Sequence, residues 1–433
     1  MVKILLISFT LLFSDGTALA AGGLKDVTEI DRKRVARRKV QSTQPRKKGG
    51  GVGKGIANFG EEVASRLDRI VQRKAFDLWG DPWTLQGIPL ILPSGRNGFH
   101  LGLRVAIQNI RRQDPHLVQI EAQVLASDKG RYKHLLGLDF PRAFGGKYRI
   151  STRVSYDRDI SLNYFGIGNG TSIDFNLFEQ NDVIYRHVRE GPSLQVQILR
   201  YLGKYVRVGP IFGFKQTDVE APTGSLLDRD RPLGFNGGQT PFVGIAFVHD
   251  TLDFEPYPTS GGTHELFFAA YPRGFSDFEF YRTTYTYRRF TPVHRSLTFA
   301  HRTLLEVLTG DVPFFELSDV GGARPSVGYG GDQYFRGFAS NRFIDKIRFN
   351  LGFELRWDPI RFEFANQQIK IGFVPFFDFG RVWADFLPVK LGDWHASTGW
   401  GIRMIWDNRF IIRGDFAVTN DRTSFYVELG NSF

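Results

Sequence analysis

The chain contains no cysteine among its 433 residues. Disulfide bonds, thiolate metal ligands and cysteine nucleophiles are therefore excluded, and packing and hydrogen bonds must hold the fold together. The serine-hydrolase motif Gly-x-Ser-x-Gly and the zinc motif His-Glu-x-x-His are also missing, and the nine histidines are scattered. We therefore expect no enzyme activity, no metal site and no cofactor.

Beyond the N-terminus there is also no long hydrophobic run, whereas a membrane-spanning helix needs about 20 consecutive apolar residues. The chain instead has 48 glycines, 41 phenylalanines and 15 tyrosines beside 23% charged residues. This composition is dense in turns and aromatic residues. Any membrane crossing must then use a β-barrel, because only helices and closed barrels satisfy all backbone hydrogen bonds in lipid.

Residues 1–20 have the three-part layout of a secretory signal peptide: Lys3, an apolar stretch and the small-residue site Ala18-Leu19-Ala20. We expect cleavage after Ala20, with an uncleaved anchor helix as the alternative. A formal charge of +11 would suggest nucleic-acid binding in a cytosolic protein. Export makes nucleic acid an unexpected partner here.

Residues 21–90 are predicted to form a basic periplasmic segment with one amphipathic helix. Ten of the residues from Leu24 to Lys48 are lysine or arginine, which is typical either of a disordered tether or of docking on anionic lipid headgroups. The helix begins at Asn58, with Glu61 as the reciprocal partner of a capping box. Its place in the protein is left open by the sequence.

From about Gly98 apolar and polar residues alternate with a period of two, which predicts β-strands with one apolar and one polar face. The clearest example runs from Ile347 to Trp357. Several charged residues on each polar face favour a polar lumen and a lipid-facing exterior over a soluble sandwich, which remains the alternative. We predict an all-β fold, a transmembrane antiparallel barrel over residues 91–433 with about 16 strands at roughly 20 residues per strand and connection.

The last strand has an apolar face that we expect to include Phe425, Val427, Leu429 and Phe433. This pattern resembles the C-terminal signal that outer-membrane barrels present to their assembly machinery. A barrel closes when its final strand pairs with its first, which leaves no open edge in lipid. Phe433 would then mark the seam.

Four short motifs occur in order and together resemble the bacterial surface antigen superfamily of outer-membrane assembly and translocation barrels, of BamA and TamA type. The resemblance covers roughly residues 145 to 433, and its motifs are Asn163-Tyr164-Phe165-Gly166-Ile167-Gly168-Asn169, Asp250-Thr251-Leu252-Asp253 leading to Tyr257-Pro258-Thr259-Ser260-Gly261, Tyr334-Phe335-Arg336-Gly337-Phe338, and Phe376-Phe377-Asp378-Phe379-Gly380-Arg381-Val382-Trp383.

The resemblance implies that Arg336, Gly337 and Phe338 form the tip of an extracellular loop that folds back into the lumen. The barrel-wall motif with Phe376, Asp378 and Gly380 would face this tip, so that Arg336 contacts Asp378. Strand parity also points Glu354 inward, and a second carboxylate could share the Arg336 guanidinium. A solvated loop arginine is the alternative.

The resemblance implies an outer-membrane protein of a Gram-negative bacterium that inserts or translocates protein, or lipid, through this loop and the seam between the first and last strands. Its expected partners are outer-membrane lipids, the barrel assembly machinery and client outer-membrane proteins. Repeated periplasmic POTRA modules are not evident in the sequence. A passive pore or structural surface barrel is the alternative, and a barrel phospholipase would be identified by a lipid-hydrolysis assay.

Overall fold

The computed structural model describes residues 74–78, 81–94, 98–109, 118–180, 182–254, 257–322, 329–331, 333–364, 367–385, 392–406, 410–429 and 432–433. The predicted signal peptide, the basic stretch and the helix at Asn58 lie outside these residues. None of the described helices is both long and apolar enough to cross a membrane.

Eighteen strands make up the described sheet. They are β1 Lys74–Leu78, β2 Asp81–Ser94, β3 Gly98–Asn109, β4 Val118–Ser127, β5 Tyr132–Arg142, β6 Tyr148–Asn163, β7 Arg186–Tyr201, β8 Val206–Glu220, β9 Gly238–Gln239, β10 Phe242–Asp250, β11 Gly261–Tyr271, β12 Phe280–His294, β13 Leu297–Gly310, β14 Ile347–Phe364, β15 Gln367–Trp383, β16 His395–Trp406, β17 Phe410–Val418 and β18 Thr423–Leu429.

Sixteen of these strands form the wall, and each pairs antiparallel with its neighbour along the chain. The two others are short: β1 pairs with the first residues of β2, and the two-residue β9 bridges to β8, which itself pairs with β10. The prediction of an all-β antiparallel fold with about 16 strands is confirmed.

The wall carries its polar face inward and its apolar face outward, as the alternation predicts. In β14, Arg348, Asn350 and Glu354 are buried, whereas Leu355 and Trp357 are 38% and 48% exposed. Large apolar side chains are exposed on most strands, while arginines are among the most deeply buried groups. A soluble sandwich would bury the apolar face instead, so that alternative is wrong.

The sheet begins earlier in the chain than the alternation suggested. The sequence placed the barrel from residue 91 and its first strand near Gly98, but β1 and β2 precede that point. Proline interrupts the alternation of β2 at positions 82, 89 and 93. Proline cannot donate a ladder hydrogen bond and is confined to edges, strand ends and bulges. A segment with three prolines therefore does not have the alternating pattern that predicts a strand of the wall.

The four longest connections all lie at one end of the wall, and no connection at the other end exceeds ten residues. Residues 164–185, 221–241 and 311–346 join strands at the first end, whereas residues 202–205 and 295–296 make tight turns at the second. The long connections contain three helices, α1 Phe175–Gln180, α2 Leu226–Asp230 and α3 Phe314–Ser318, together with the 3-10 turn Asp182–Tyr185. A four-residue turn, Ala143–Gly146, joins β5 to β6.

Candidate functional site

The described residues of the connection between β13 and β14, 311–322, 329–331 and 333–346, fold inside the wall. Its first part is α3, whose five residues are all buried. Its second part is an aromatic cluster of Tyr329, Phe335, Phe338 and Phe343, which packs against Leu304 and Val382 of the wall. The loop therefore occupies the lumen rather than extending into solvent.

Arg336 lies at the turn of this loop and reaches the wall. Its Nε donates to Asp378 Oδ2 at 2.8 Å and its Nη2 to Asp378 Oδ1 at 2.9 Å, a two-point contact, and its backbone N–H also donates to Asp378 at 3.1 Å. Its Nη1 donates to Glu354 Oε1 at 2.6 Å. All three side chains are inaccessible to solvent. We call these three residues the lumenal lock.

The structure brings Phe376, Asp378 and Glu354 of the wall together at Arg336. The Phe376 ring lies under the guanidinium, 3.6 Å from its central carbon, in a cation–π contact. Burial alone would lower the pKa of Arg336, but the Asp378 and Glu354 carboxylates raise it above its usual value. The two carboxylates therefore favour the charged form of this buried arginine.

Glycine is required at two positions around the lock. Gly337 has a φ of +96°, and a Cβ on it would lie 2.6 Å from Thr419 Cγ2. A Cβ on Gly380 would lie 2.9 Å from the Tyr329 hydroxyl, which donates to the Phe349 carbonyl at 3.1 Å. Both glycines let the loop backbone and its aromatic cluster approach the wall closely.

Further charged residues surround the lock, and the sequence analysis did not identify them. Arg356 Nε donates to the second oxygen of Glu354 at 2.8 Å. Asp415 pairs with Arg403 and, at 2.6 Å, with Arg413. Strand parity was the available signal, because these residues alternate with outward apolar ones, but parity gives only the face and not the partner.

The last residues of the chain also enter the lumen. Phe425 and Val427 of β18 point outward and are 69% and 43% exposed, whereas Ser432 is buried. Ser432 Oγ donates to Glu354 Oε1 at 2.6 Å, the oxygen that also accepts from Arg336. The end of the chain and the loop tip therefore share one carboxylate.

The prediction that Phe433 shares an outward face with Phe425, Val427 and Leu429 is wrong. Because β18 ends at Leu429, its alternation does not extend to Phe433. The Phe433 ring packs near Phe290 and lies 4.8 Å from the Arg302 guanidinium. Arg356 donates to its carbonyl at 2.7 Å. Lumenal arginines thus offer the terminal residues a polar and cation–π environment that an outward position lacks.

A second ion-pair cluster fixes α3 to the wall. Asp319, directly after α3, accepts from Arg189 at 2.8 Å and from Lys215 at 2.6 Å. Glu316 within α3 pairs with Lys215 and with Arg282. Burial alone would raise the pKa of Asp319, but Arg189 and Lys215 lower it below its usual value. The loop is therefore attached at both of its parts.

Within the described residues, no group of three or more histidine, aspartate or glutamate side chains is arranged to hold a metal ion. The carboxylates of the lumenal lock pair with arginine, and those at α3 pair with arginine and lysine.

A family model described as the Omp85 superfamily domain matches residues 142–433. Among solved structures, the chain is similar to BamA from Haemophilus ducreyi lacking POTRA domains 1-3, with a TM-score of 0.51 and 12% identity, over 89% of this chain and 79% of that one. It is also similar to CdiB from Escherichia coli, with a TM-score of 0.47 and 12% identity, over 84% of this chain and 68% of that one. No curated protein matches. In the part that the structure describes, no POTRA domain is evident.

Proposed function

The chain belongs to the Omp85 superfamily of outer-membrane β-barrels, and from this membership we propose that it inserts protein into, or translocates protein across, the outer membrane. Its family indicates a Gram-negative outer-membrane protein that works with partner components. We place the short connections and the N-terminal segment on the periplasmic side, because bacterial barrels have short periplasmic turns and long extracellular loops.

The observation that carries the proposal is the position of the loop at residues 311–346. Its aromatic cluster and α3 fill lumenal space, and the lumenal lock holds its tip against β14 and β15. A passive pore has no need of a buried, three-residue ion pair that closes it. An assembly or translocation barrel does need its route closed until a client is present.

The contact of Ser432 with Glu354 supports a link between this loop and the final strand. A shift of β18 would pull Ser432 from Glu354, and the lock would lose one of the hydrogen bonds on its shared carboxylate. We therefore place the route at the seam between β2 and β18, the first and last strands of the wall. Weakly paired strand edges can template another strand by β-augmentation.

A disulfide across this seam tests the proposal, and the absence of native cysteine means that only the introduced pair can form. One cysteine is placed in β2 and one in β18, at a series of facing positions, in the full chain in proteoliposomes. An eight-stranded outer-membrane barrel serves as the client. We expect oxidation to abolish client insertion, and reduction to restore it, while ion conductance stays unchanged.

A pair of cysteines within the neighbouring hairpin of β16 and β17 provides the matched control, because it cross-links strands that must remain paired. Insertion that continues in the oxidised seam variant contradicts the seam. Conductance without insertion in either redox state would favour a passive pore.

A further inference from the structure

Five aromatic rings form a continuous band on the outer face of the wall, across the adjacent strands β10 to β14. In order around the barrel they are His249, His264, Tyr287, His301 and Phe353. Successive ring centroids are 5.8, 4.5, 5.8 and 4.8 Å apart. Three of the five rings are imidazoles, which is unusual on a face that otherwise carries leucine, phenylalanine and tyrosine.

The band faces outward and lies toward the end of the barrel with short connections. Residues that alternate with it point inward: Thr263 and Glu265 accept hydrogen bonds from Arg288, and Arg302 donates to Asn350. His249 and His264 are cross-strand partners. His249 lies one residue before the end of β10, and His264 lies three residues after the start of β11, so both are close to the connection at residues 251–260. The orientation proposed above puts this end at the periplasmic leaflet.

Arg289 adds a full positive charge beside the band. It is cross-strand partner to His301 on one side and to Gly262 on the other. Its Cδ lies 3.3 Å from the place that a Cβ on Gly262 would take, so the missing side chain lets the arginine stem lie across β11. Arg289 is exposed, and no described residue forms an ion pair or hydrogen bond with its guanidinium.

We propose that Arg289 and His264 form a binding site for the phosphate of an anionic phospholipid in the periplasmic leaflet. An exposed guanidinium at a membrane interface attracts anionic headgroups and can bind a phosphate through two N–H groups. His264 Nδ1 already bonds the Tyr285 hydroxyl at 2.9 Å, which leaves its Nε2 for the phosphate. His301 Nε2 bonds Thr303 Oγ1 at 2.8 Å and its Nδ1 is buried, so the His301 ring contributes packing within the band. Tyr287 between the two imidazoles is a typical interfacial residue. The site goes beyond protein insertion and depends only on the orientation of the barrel.

The test measures lipid retained by the full chain, by native mass spectrometry after extraction from vesicles of equal phosphatidylglycerol and phosphatidylcholine. We expect the wild type to retain phosphatidylglycerol in preference, and Arg289→Gln to reduce this preference about fivefold, the effect of about one basic residue near the surface. Arg289→Lys should keep most of it, which also shows that the variants fold.

Arg200→Gln is the matched control. Arg200 is another exposed arginine near the same end of the wall, on β7, but its cross-strand partners are Tyr148 and Val208 rather than histidines. An equal loss of the phosphatidylglycerol preference in both variants would overturn the site in favour of general charge attraction. An unchanged preference in both variants would also overturn the site. A third arm uses vesicles with lipid A: a loss confined to lipid A in Arg289→Gln would overturn the periplasmic assignment.

Discussion

At the scale of single residues, Arg336 is the group on which the lumenal site depends. Replacement by alanine leaves Asp378 and Glu354 buried without their shared cation. Breaking a buried pair in this way typically costs about 3 to 5 kcal/mol. We expect Arg336→Ala to lower the temperature at which the barrel loses its folded mobility on gels, and to raise its conductance in planar bilayers.

Arg273→Ala is the control for this prediction. Arg273 is 78% exposed and pairs with Glu279 at 3.4 Å, so its loss should change stability by no more than about 0.5 kcal/mol. Arg336→Lys keeps the charge but cannot make the two-point contact with Asp378, and should fall between alanine and wild type. An Arg336→Ala barrel as heat-resistant and as poorly conducting as the wild type would contradict the role of the lock.

Asp319 gives a second residue-scale prediction, on pH. Because its pKa is lowered in the folded protein, its contribution to stability is fully present above the pKa of the unfolded carboxyl, about 3.9. That contribution is lost as the pH falls through the lowered folded pKa. The melting temperature of Asp319→Asn should therefore lie below that of the wild type at pH 7, and the gap should shrink below about pH 4. A gap that widens in acid would contradict this assignment.

At the scale of elements, the loop of residues 311–346 closes the lumen through its second part. Replacing residues 329–343 with a glycine-serine linker of equal length removes five aromatic side chains, the four of the cluster and Tyr334, together with Arg336. We expect a larger increase in single-channel conductance than Arg336→Ala gives, since the space as well as the attachment is lost. A glycine-serine replacement of the four exposed residues 272–275 should leave conductance unchanged. Unchanged conductance in both variants would show that the loop does not limit the pore.

Elements also show how far the sequence could predict the structure. Alternation identified β14 and β15 and the inward direction of Glu354 and Asp378, because a period of two assigns every residue of a strand to a face. It did not identify β2, where three prolines interrupt the pattern, or the lumenal position of Phe433. Alternation assigns residues to a face only within a strand, and β18 ends at Leu429. Only the folded barrel shows that Arg302 and Arg356 bind the carbonyls of Ser432 and Phe433.

At the scale of the whole molecule, the family membership and the barrel were both predictable, from ordered motifs and from the sense of the alternation. The charged residues around the lumenal lock were not predictable. Arg403 on β16 lies 3.6 Å from Glu354 on β14, which is two strands away in the wall, and spacing along the chain does not predict such a contact. The orientation of the barrel and the role of the seam remain predictions. The lipid experiment tests the orientation, and the disulfide experiment tests the seam.

The hydrogen bond from Ser432 to Glu354 also has a consequence for the order of folding. Glu354 is 78 residues from Ser432 in sequence, and Arg302, which binds the Ser432 carbonyl, is 130 residues away. Both contacts require the chain to close a long loop. Glu354 therefore gains this partner only when the last strand has arrived. The hydrogen bond from Ser432 to Glu354 is therefore present only in a barrel whose last strand is in place.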